Sequence, residues 1–247
     1  MMYFRGNRLL RALLPSDQRS LLPALSMVEL HRGHVLEVAG STIKQAYFPE
    51  TGLAAIVAQS PGREIGVGVV GNDGMTGCAI VMEAGLAANH TLVQSAGNAV
   101  TILAADLRKA VRKSATLRTL LLRYAHVFAI QASQTALTNG HASIEERTAR
   151  WVLMSHDRYS ANDMTVTHEF ISLMVGVRRQ GITEALHALE GRHLIRSTRE
   201  NLHVVDRAGL IALASGSYGI CEAEYERLID GKFRSTSSNP GVPAGRE

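Results

Sequence analysis

The residues whose types could support chemistry are concentrated between positions 167 and 199. Arginine can donate two hydrogen bonds to the O6 and N7 atoms of guanine, glutamine can pair in a similar two-pronged way with adenine, and glutamate can accept from the amino group of cytosine. Hydroxyl and cationic side chains can contact phosphates. The sequence therefore predicts a DNA-binding surface that consists of Thr167, His168, Arg178, Arg179, Gln180, Thr183, Glu184, His187, Arg196 and Arg199.

The small and apolar residues between these side chains have the spacing of a helix-turn-helix. Thr167 can cap the first helix, Gly176 supplies the turn, and the second helix begins near Arg178. In such motifs the first helix lies across the DNA backbone, while the second presents its N-terminal residues to base edges in the major groove. The residues expected to face inward are Ile171, Val175, Val177, Ile182 and Ala185.

Two residues in this segment break the usual helix rules. Arg178 stands where a serine or threonine cap is expected, and Gly181 weakens the helix by about 1 kcal/mol relative to alanine. We interpret both as requirements for close approach to DNA. The alternative is a pair of amphipathic helices in another kind of α+β protein, with Arg178 and Arg179 merely solvated. Downstream, residues 192–205 have the pattern of a wing, where Arg196 and Arg199 could reach the backbone.

The residues before position 105 predict short strands separated by turns. Gly, Pro, Asn and Asp separate the segments at intervals of 8–12 residues, which is typical of a β-sandwich or barrel such as a jelly roll. A short helix, Asn7–Leu14, precedes them. The predicted strands are 35–38, 45–48, 53–57, 65–70, 91–94 and 99–102.

From Ala105 to Thr138 the chain has almost no glycine or proline, and its apolar residues recur at helical spacing. A helix that is apolar on more than one side must be buried on more than one side. One possibility is that this helix lies inside the core of a large monomer. The other is that it covers its own barrel with one face and pairs with the same helix of a second copy through the other. We favour the second interpretation, with pairing over Leu117–Thr138. Its two stripes are Leu117, Leu121, Tyr124 and Phe128, and Ala125, Ala129, Ala132 and Ala136.

The expected domains follow from these changes of pattern. Asn139-Gly140 ends the long helix, and a capping box over Ser143–Glu146 begins the next helix, which is expected to end near Tyr159 and to be followed by a loop at 160–163. The sequence predicts an α+β protein with four regions. These are a β-roll sensor or effector domain (1–104), a long dimerisation helix (105–140), a winged helix-turn-helix (141–233) and a disordered tail rich in Ser, Pro and Gly (234–247).

Composition narrows the classes of protein. Hydrophobic residues make up 46% and charged residues 19% of the 247 residues, and no run approaches a membrane span, so we expect a soluble, cytoplasmic protein with no membrane partner. Residues 1–140 carry a net charge of +5 and residues 141–213 carry none, so DNA binding must depend on a local arrangement. Two cysteines are too few for a four-cysteine zinc or iron–sulfur site within one chain.

Together these features resemble the Crp/Fnr superfamily of bacterial transcription regulators over residues 7 to 231. One matching stretch runs from residues 33–36 to residues 47–49, and another runs from residues 186–190 to residues 194–195. The glycine-bounded strands, the long helix and residues 175–179 also match. The resemblance implies a cyclic-nucleotide-binding-type β-roll, a dimerisation helix, and a winged helix-turn-helix that binds a two-fold symmetric operator. Carried over by position, Arg179 is the main base reader, with Gln180 and Glu184 beside it.

The nucleotide pocket implied by the resemblance departs from the family pattern. Cyclic-nucleotide binders carry Gly-Glu-Leu and later an arginine followed by Ser or Ala, whereas this chain has Gly74-Met75-Thr76 and Asn89-His90. A buried phosphate without a cation is poorly compensated. We therefore expect no cyclic AMP and no cofactor, and the β-roll binds another effector or none. An effector pocket would involve Gly74, Met75, Thr76, Asn89 and His90.

Three classes of function compete for this sequence. The first is a sequence-specific regulator that binds a palindromic operator as a homodimer, with double-stranded DNA as partner and, for an activator, RNA polymerase. The alternative is a small-molecule-binding regulatory protein that acts through protein partners without specific DNA binding. An enzyme is not expected, because the nucleophile elbow, P-loop, dinucleotide fingerprint and His-Glu-x-x-His motifs are missing. No metal site is predicted from His31 and His34, whereas heme ligation by Cys78 or a histidine stays open.

Overall fold

A computed structural model describes residues 6–159, 163–198 and 200–231. Within these ranges the first part of the chain forms β-sheets, a long helix follows, and the last part contains a helix-turn-helix. This arrangement confirms the predicted α+β fold class. Residues 160–162 of the predicted loop, the candidate site residue Arg199 and the tail from Arg234 lie outside the described residues.

Seven strands in the first part form two antiparallel sheets. One sheet has the order β1-β7-β3 and the other the order β2-β6-β4-β5. Six of the strands coincide with predicted segments. The first was not predicted because only its end residues are buried, so it lacks the alternation of a half-buried strand. The strands are β1 Leu25–Leu30, β2 Val35–Glu37, β3 Gln45–Pro49, β4 Leu53–Ser60, β5 Arg63–Val70, β6 His90–Ser95 and β7 Gly97–Leu103.

The helix predicted over residues 7–14 is shorter, and a second helix follows it. Asn7 caps α1 (Arg8–Arg11), where its side chain accepts a hydrogen bond from the amide of Leu10 at 3.0 Å. Pro15 begins α2 (Pro15–Leu21), because proline suits the first turn of a helix and keeps the preceding residue extended. A further short helix that the sequence did not indicate, α3 (Cys78–Val81), lies between β5 and β6.

The segment predicted as one long helix over residues 105–140 is two helices. They are α4 (Ala104–Lys113) and α5 (Ala115–His141), and Ser114 between them has an extended backbone. Its hydroxyl accepts from the amide of Leu117 at 3.2 Å, which caps α5. A serine that bonds its own backbone interrupts a helix without glycine or proline, so composition alone did not reveal the break.

The last part of the chain contains the helix-turn-helix and the wing. The capping box predicted at Ser143 and Glu146 is present, with hydrogen bonds of 3.2 and 2.7 Å. Three strands form a small antiparallel sheet in the order β8-β10-β9. The elements are α6 Ile144–His156, β8 Asp163–Thr165, α7 His168–Val175, α8 Arg179–Gly191, β9 Ile195–Ser197, β10 Asn201–Val204, α9 Arg207–Leu213 and α10 Ile220–Leu228.

One buried core is shared between the two parts of the chain. It joins residues of β4 and β5, such as Val57 and Val69, to Trp151 of α6 and Met174 of α7. Gly66 of β5 makes this contact close, since a Cβ atom at this position would lie 2.8 Å from the Cα of Met174. The sheet β2-β6-β4-β5 therefore fixes the position of the helix-turn-helix. In the ranges given above, no helix is both long enough and apolar enough to cross a membrane.

Candidate nucleic-acid interface

The turn between α7 and α8 is built by local hydrogen bonds and one glycine. The hydroxyl of Thr167 accepts from the amide of Phe170 at 3.3 Å and caps α7. Gly176 ends this helix with φ 72°, a left-handed conformation that glycine adopts without steric cost. The hydroxyl of Ser172 donates to the carbonyl of Val177 and closes the turn. These contacts hold the two helices in a fixed relative orientation.

The underside of α8 is buried against α6 and α7. Ile182, Leu186 and Leu189 are fully buried in the core that also contains Ile171 and Val175. Ala185 is also buried, whereas Val177 is half-buried. This pattern confirms which side of the second helix faces inward, and it leaves the opposite side in contact with solvent.

The outer side of α8 brings together most of the predicted base-reading residues. Thr183 is half-buried. The carboxylate of Glu184 accepts a hydrogen bond from the side-chain amide of Gln180 at 3.0 Å, so these two candidate base-contacting residues are hydrogen-bonded to each other. This surface combines two guanidinium groups, an amide, an imidazole and a carboxylate within three turns of helix. The exposed residues are Arg178, Arg179, Gln180, Glu184 and His187.

The two residues that break the helix rules have different surroundings. Arg178 is the N-cap of α8 and makes no capping hydrogen bond with its side chain, so its guanidinium stays exposed at the start of the helix. A Cβ atom at Gly181 would lie 3.3 Å from the Cδ1 of Ile144. An alanine at this position would therefore require the end of the Ile144 side chain to shift by a few tenths of an ångström.

His168 is half-buried, and its ring lies between α7 and α8. Its Nδ1 is 3.3 Å from the hydroxyl of Thr183, and its Nε2 is buried without a hydrogen-bond partner in the described part of the chain. Burial lowers the pKa of His168, and the nearby Arg179 and His187 lower it further. These effects favour the neutral form of the ring, which lies between α7 and α8.

The wing is present where the sequence predicted it. Arg196 is exposed on β9 and lies opposite His203 of β10 in the register of the two strands. The Nδ1 of His203 lies 2.9 Å from the carboxylate of Asp163 on β8, which connects the third strand. Arg196 therefore lies on a three-stranded support.

The predicted effector residues lie outside the two cavities described for this part of the fold. Gly74, Met75 and Thr76 are buried, and the ring of Tyr124 occupies the position that a Cβ atom of Gly74 would need. Asn89 and His90 are half-buried at the start of β6. Two cavities lie nearby in the fold, and none of the five residues lines either one. A cavity of about 230 Å³ is lined by residues that include Asp73, Tyr124, Arg158 and Tyr225, and one of about 420 Å³ by residues that include Glu37, Lys44 and Tyr47.

One residue near this surface was not identified from the sequence. The guanidinium of Arg32, in the turn between β1 and β2, lies 3.5 Å from the hydroxyl of Thr167. From the sequence, His31 and His34 in this turn were considered only as metal ligands, and no metal site was predicted from them. The contact joins segments 135 residues apart, so no local pattern could have revealed it.

Comparisons with known proteins agree with this geometry. Residues 146–213 match the family described as a Crp-like helix-turn-helix domain. Among curated proteins, no match to the sequence is found.

Solved structures share the fold over most of the chain. A transcriptional regulator of the Crp/Fnr family from Eubacterium rectale is 16% identical, with a TM-score of 0.66, over 87% of this chain and 100% of that one. FixK2 from Bradyrhizobium japonicum is 15% identical, with a TM-score of 0.65, over 76% and 96%. A CRP-family transcriptional regulator from Thermus thermophilus is 18% identical, with a TM-score of 0.62, over 76% and 97%. The chain therefore carries a Crp-like helix-turn-helix domain within the fold of the Crp/Fnr regulators, which confirms the resemblance.

Proposed function

We propose that this protein is a transcription regulator that binds a palindromic DNA operator as a homodimer. The observation that carries the proposal is the two-sided character of α8 (Arg179–Gly191). Its apolar side is buried in the protein core, while Arg179, Gln180 and Glu184 are exposed on the other side. A helix of this kind, fixed by a preceding helix and a tight turn, has the form of a recognition helix for the major groove.

The roles within the surface follow from side-chain chemistry. Arg179 is the principal base reader, because its guanidinium is exposed at the first position of α8 and can pair with guanine through two hydrogen bonds. Gln180 and Glu184 read neighbouring bases after their mutual hydrogen bond opens. Arg178, His187 and Arg196 are exposed at the margins, where phosphate contacts are expected. The junction of α7 and α8 supports this surface through Thr167, His168 and Thr183. Arg199 contacts the DNA backbone from the wing in this proposal.

A solvent-exposed seam on α5 supports the homodimer. Exposed residues recur at alternating intervals of four and three, which is the periodicity of helix pairing in coiled coils. Most of them are small, so two helix backbones could approach closely. The exposed positions of the seam are Thr119, Leu122, His126, Ala129, Ser133, Ala136 and Gly140.

Cyclic AMP is not part of the proposed function. The segment at Gly74, Met75 and Thr76 offers no cationic side chain for a phosphate, and the ring of Tyr124 packs against Gly74. An effector of another kind, if the β-roll binds one, has to use other surroundings or displace this aromatic ring.

Selection from random duplex DNA tests the proposal. We expect the full chain to enrich an inverted repeat whose half-sites are about one helical turn apart. Arg179→Ala should weaken operator binding by roughly 1–3 kcal/mol, or about 5- to 150-fold, and relax base preference at one position in each half-site. Arg19→Ala, an exposed arginine on α2, is the matched control and should leave the affinity unchanged.

The opposite outcome is equally specific. If no palindrome is enriched and binding is only salt-sensitive and blind to sequence, the protein is not a specific operator-binding regulator. Action through protein partners then becomes the better hypothesis. If the palindrome is enriched but Arg179→Ala binds it as the parent chain does, only the role given to Arg179 is wrong.

A further inference from the structure

A small cavity lies where β5, α5, α6 and α7 meet, between the β-roll and the helix-turn-helix. Its volume is about 20 Å³, which is enough for one occupant of about the size of a water molecule. Among the described residues that line it, none carries a carboxylate. The polar residues in its walls are Thr135, Thr138, Asn139, Arg147, Arg150 and Trp151.

Arg150 of α6 brings a buried positive charge to this cavity. The residue is 6% exposed. Its guanidinium donates to the carbonyl of Ser217 at 2.9 Å, to the hydroxyl of Thr135 at 3.1 Å and to the carbonyl of Gln131 at 3.4 Å. All three acceptors are neutral, and they use three of the five N–H donors of an arginine. Burial lowers the pKa of Arg150, and the more distant carboxylate of Glu222 opposes this effect only in part.

Trp151, the next residue of α6, supplies a second donor. The residue is 5% exposed, and its Nε1–H is buried without a hydrogen-bond acceptor in the part of the chain that the structure describes. Buried donors in proteins usually have a partner, so this indole requires an explanation. The half-buried Arg147, whose Nε donates to the carbonyl of Ala142 at 2.9 Å, lines the same cavity. Two guanidinium groups and an indole N–H therefore border one small space.

The charge and the size of this space select the class of occupant. A neutral water molecule would leave the buried charge of Arg150 without compensation, and a buried charge is costly unless it is paired. An anion compensates the charge and accepts hydrogen bonds from guanidinium and indole N–H groups, which are stronger when the acceptor is charged. Phosphate, sulfate and organic acids are larger than the cavity. A monatomic halide satisfies both requirements.

We propose that this cavity is a binding site for one chloride ion, held by the guanidinium of Arg150 and the indole N–H of Trp151. Arg147 adds a second positive charge at the edge of the site. Gly66 of β5 and Met174 of α7 also line the cavity, so bound chloride stabilises the packing of the helix-turn-helix on the β-roll. The inference goes beyond the proposed function and does not depend on DNA binding.

Tryptophan fluorescence of the full chain tests the proposal, because Trp151 is the only tryptophan and reports on this site alone. Bromide is close to chloride in size and quenches an indole that it touches. At constant ionic strength, balanced with potassium glutamate, bromide should quench Trp151 along a saturating curve, and chloride should reverse the quenching by competition. Weak quenching that rises in proportion to bromide and ignores chloride would mean that the cavity binds no halide, and the proposal would be wrong.

Substitution assigns the site to its residues. Arg150→Met removes the charge and should abolish both the saturation and the competition by chloride. Arg19→Met, at an exposed position on α2, is the matched control and should behave as the parent chain does. Saturating quenching that persists unchanged in folded Arg150→Met would contradict the assigned ligand.

A crystallographic measurement keeps the test independent of the folding of Arg150→Met. Crystals of the parent chain grown in bromide should show an anomalous scattering peak between the guanidinium of Arg150 and the Nε1 of Trp151. The absence of a peak at this position would overturn the proposal. Neither experiment uses DNA, so its failure would leave the proposed function as it stands.

Discussion

The carboxylate of Asp73 and the guanidinium of Arg158 form a buried, two-pronged ion pair that joins the two parts of the chain. The Nη2 of Arg158 lies 2.7 Å from one carboxylate oxygen, and its Nε lies 3.1 Å from the other. Burial alone would lower the pKa of Arg158, but Asp73 and then Asp157 raise it above its ordinary value. The hydroxyl of Tyr225 on α10 donates to the backbone carbonyl of Asp73 at 2.7 Å. One loop of the β-roll therefore holds both the end of α6 and the helix α10.

Breaking this pair should destabilise the whole chain. Asp73→Asn removes the carboxylate that is hydrogen-bonded to the buried Arg158 guanidinium, and breaking a buried ion pair in this way typically costs about 3–5 kcal/mol. Urea unfolding should report a loss of that size. Glu83→Gln is the matched control, because the pair of Glu83 with Arg112 is exposed and such pairs contribute about 1 kcal/mol or less. Equal effects of the two substitutions would contradict the assigned role of the buried pair.

Adding a methyl group at Gly66 should loosen the helix-turn-helix from the sheet. The Cβ atom of Gly66→Ala would lie 2.8 Å from the Cα of Met174, so α7 must move away from β5. Amide hydrogen exchange in α7 should become faster. Gly191→Ala, at the end of α8, has no atom within 4 Å of the added Cβ and is the control. Unchanged protection of α7 in Gly66→Ala would show that this contact does not hold the helix in place.

A charge in the α5 seam should separate the proposed dimer without unfolding the protomer. Ala129 is exposed within the seam, so Ala129→Glu places two carboxylates opposite each other only when two copies pair. Sedimentation should then report half the mass of the parent protein, with an unchanged circular dichroism spectrum. Ala208→Glu, at an exposed position on α9, should leave the mass unchanged. A parent chain that sediments as a monomer would remove the homodimer from the proposal.

Both cysteines should resist alkylation in the folded chain. Burial raises the pKa of Cys78 to about 12, with a contribution from Glu37, and burial together with Glu222 raises the pKa of Cys221 to about 12. At pH 8 only about one thiol in ten thousand is then a thiolate, the reactive form. Mass spectrometry after iodoacetamide treatment should show slow labelling at pH 8 and rapid labelling in urea. Rapid labelling of folded protein at either residue would disprove its raised pKa.

The parts of the fold that sequence could predict are those set by neighbours along the chain. Thr167 as the cap of α7, Gly176 as its left-handed end, and the capping box at Ser143 each depend on side chains that bond their own backbone within three or four residues. The exposed side of α8 followed in the same way, since helical periodicity separates Arg179 and Gln180 from Ile182.

The parts that sequence could not predict depend on distant contacts. Ser114 ends one helix and begins another because its hydroxyl also donates to Asp17 at 2.6 Å, which fixes its backbone outside the helix. The contact between Gly181 and Ile144 depends on the position of α6, and the contact between Arg32 and Thr167 depends on the packing of the β-roll against α7. Each of these contacts joins residues that are far apart in the sequence, so no local sequence pattern could predict it.

Two glycines of β5 allow α5 and α7 to pack closely against the same strand. A Cβ atom at Gly68 would lie 2.7 Å from the side-chain oxygen of Gln131 on α5, just as one at Gly66 would meet Met174 on α7. The two positions lie on the same face of the strand, roughly 7 Å apart. A shift of α5, for instance when two copies associate, would therefore act on α7 through a single strand, without passing along the residues that connect the two helices.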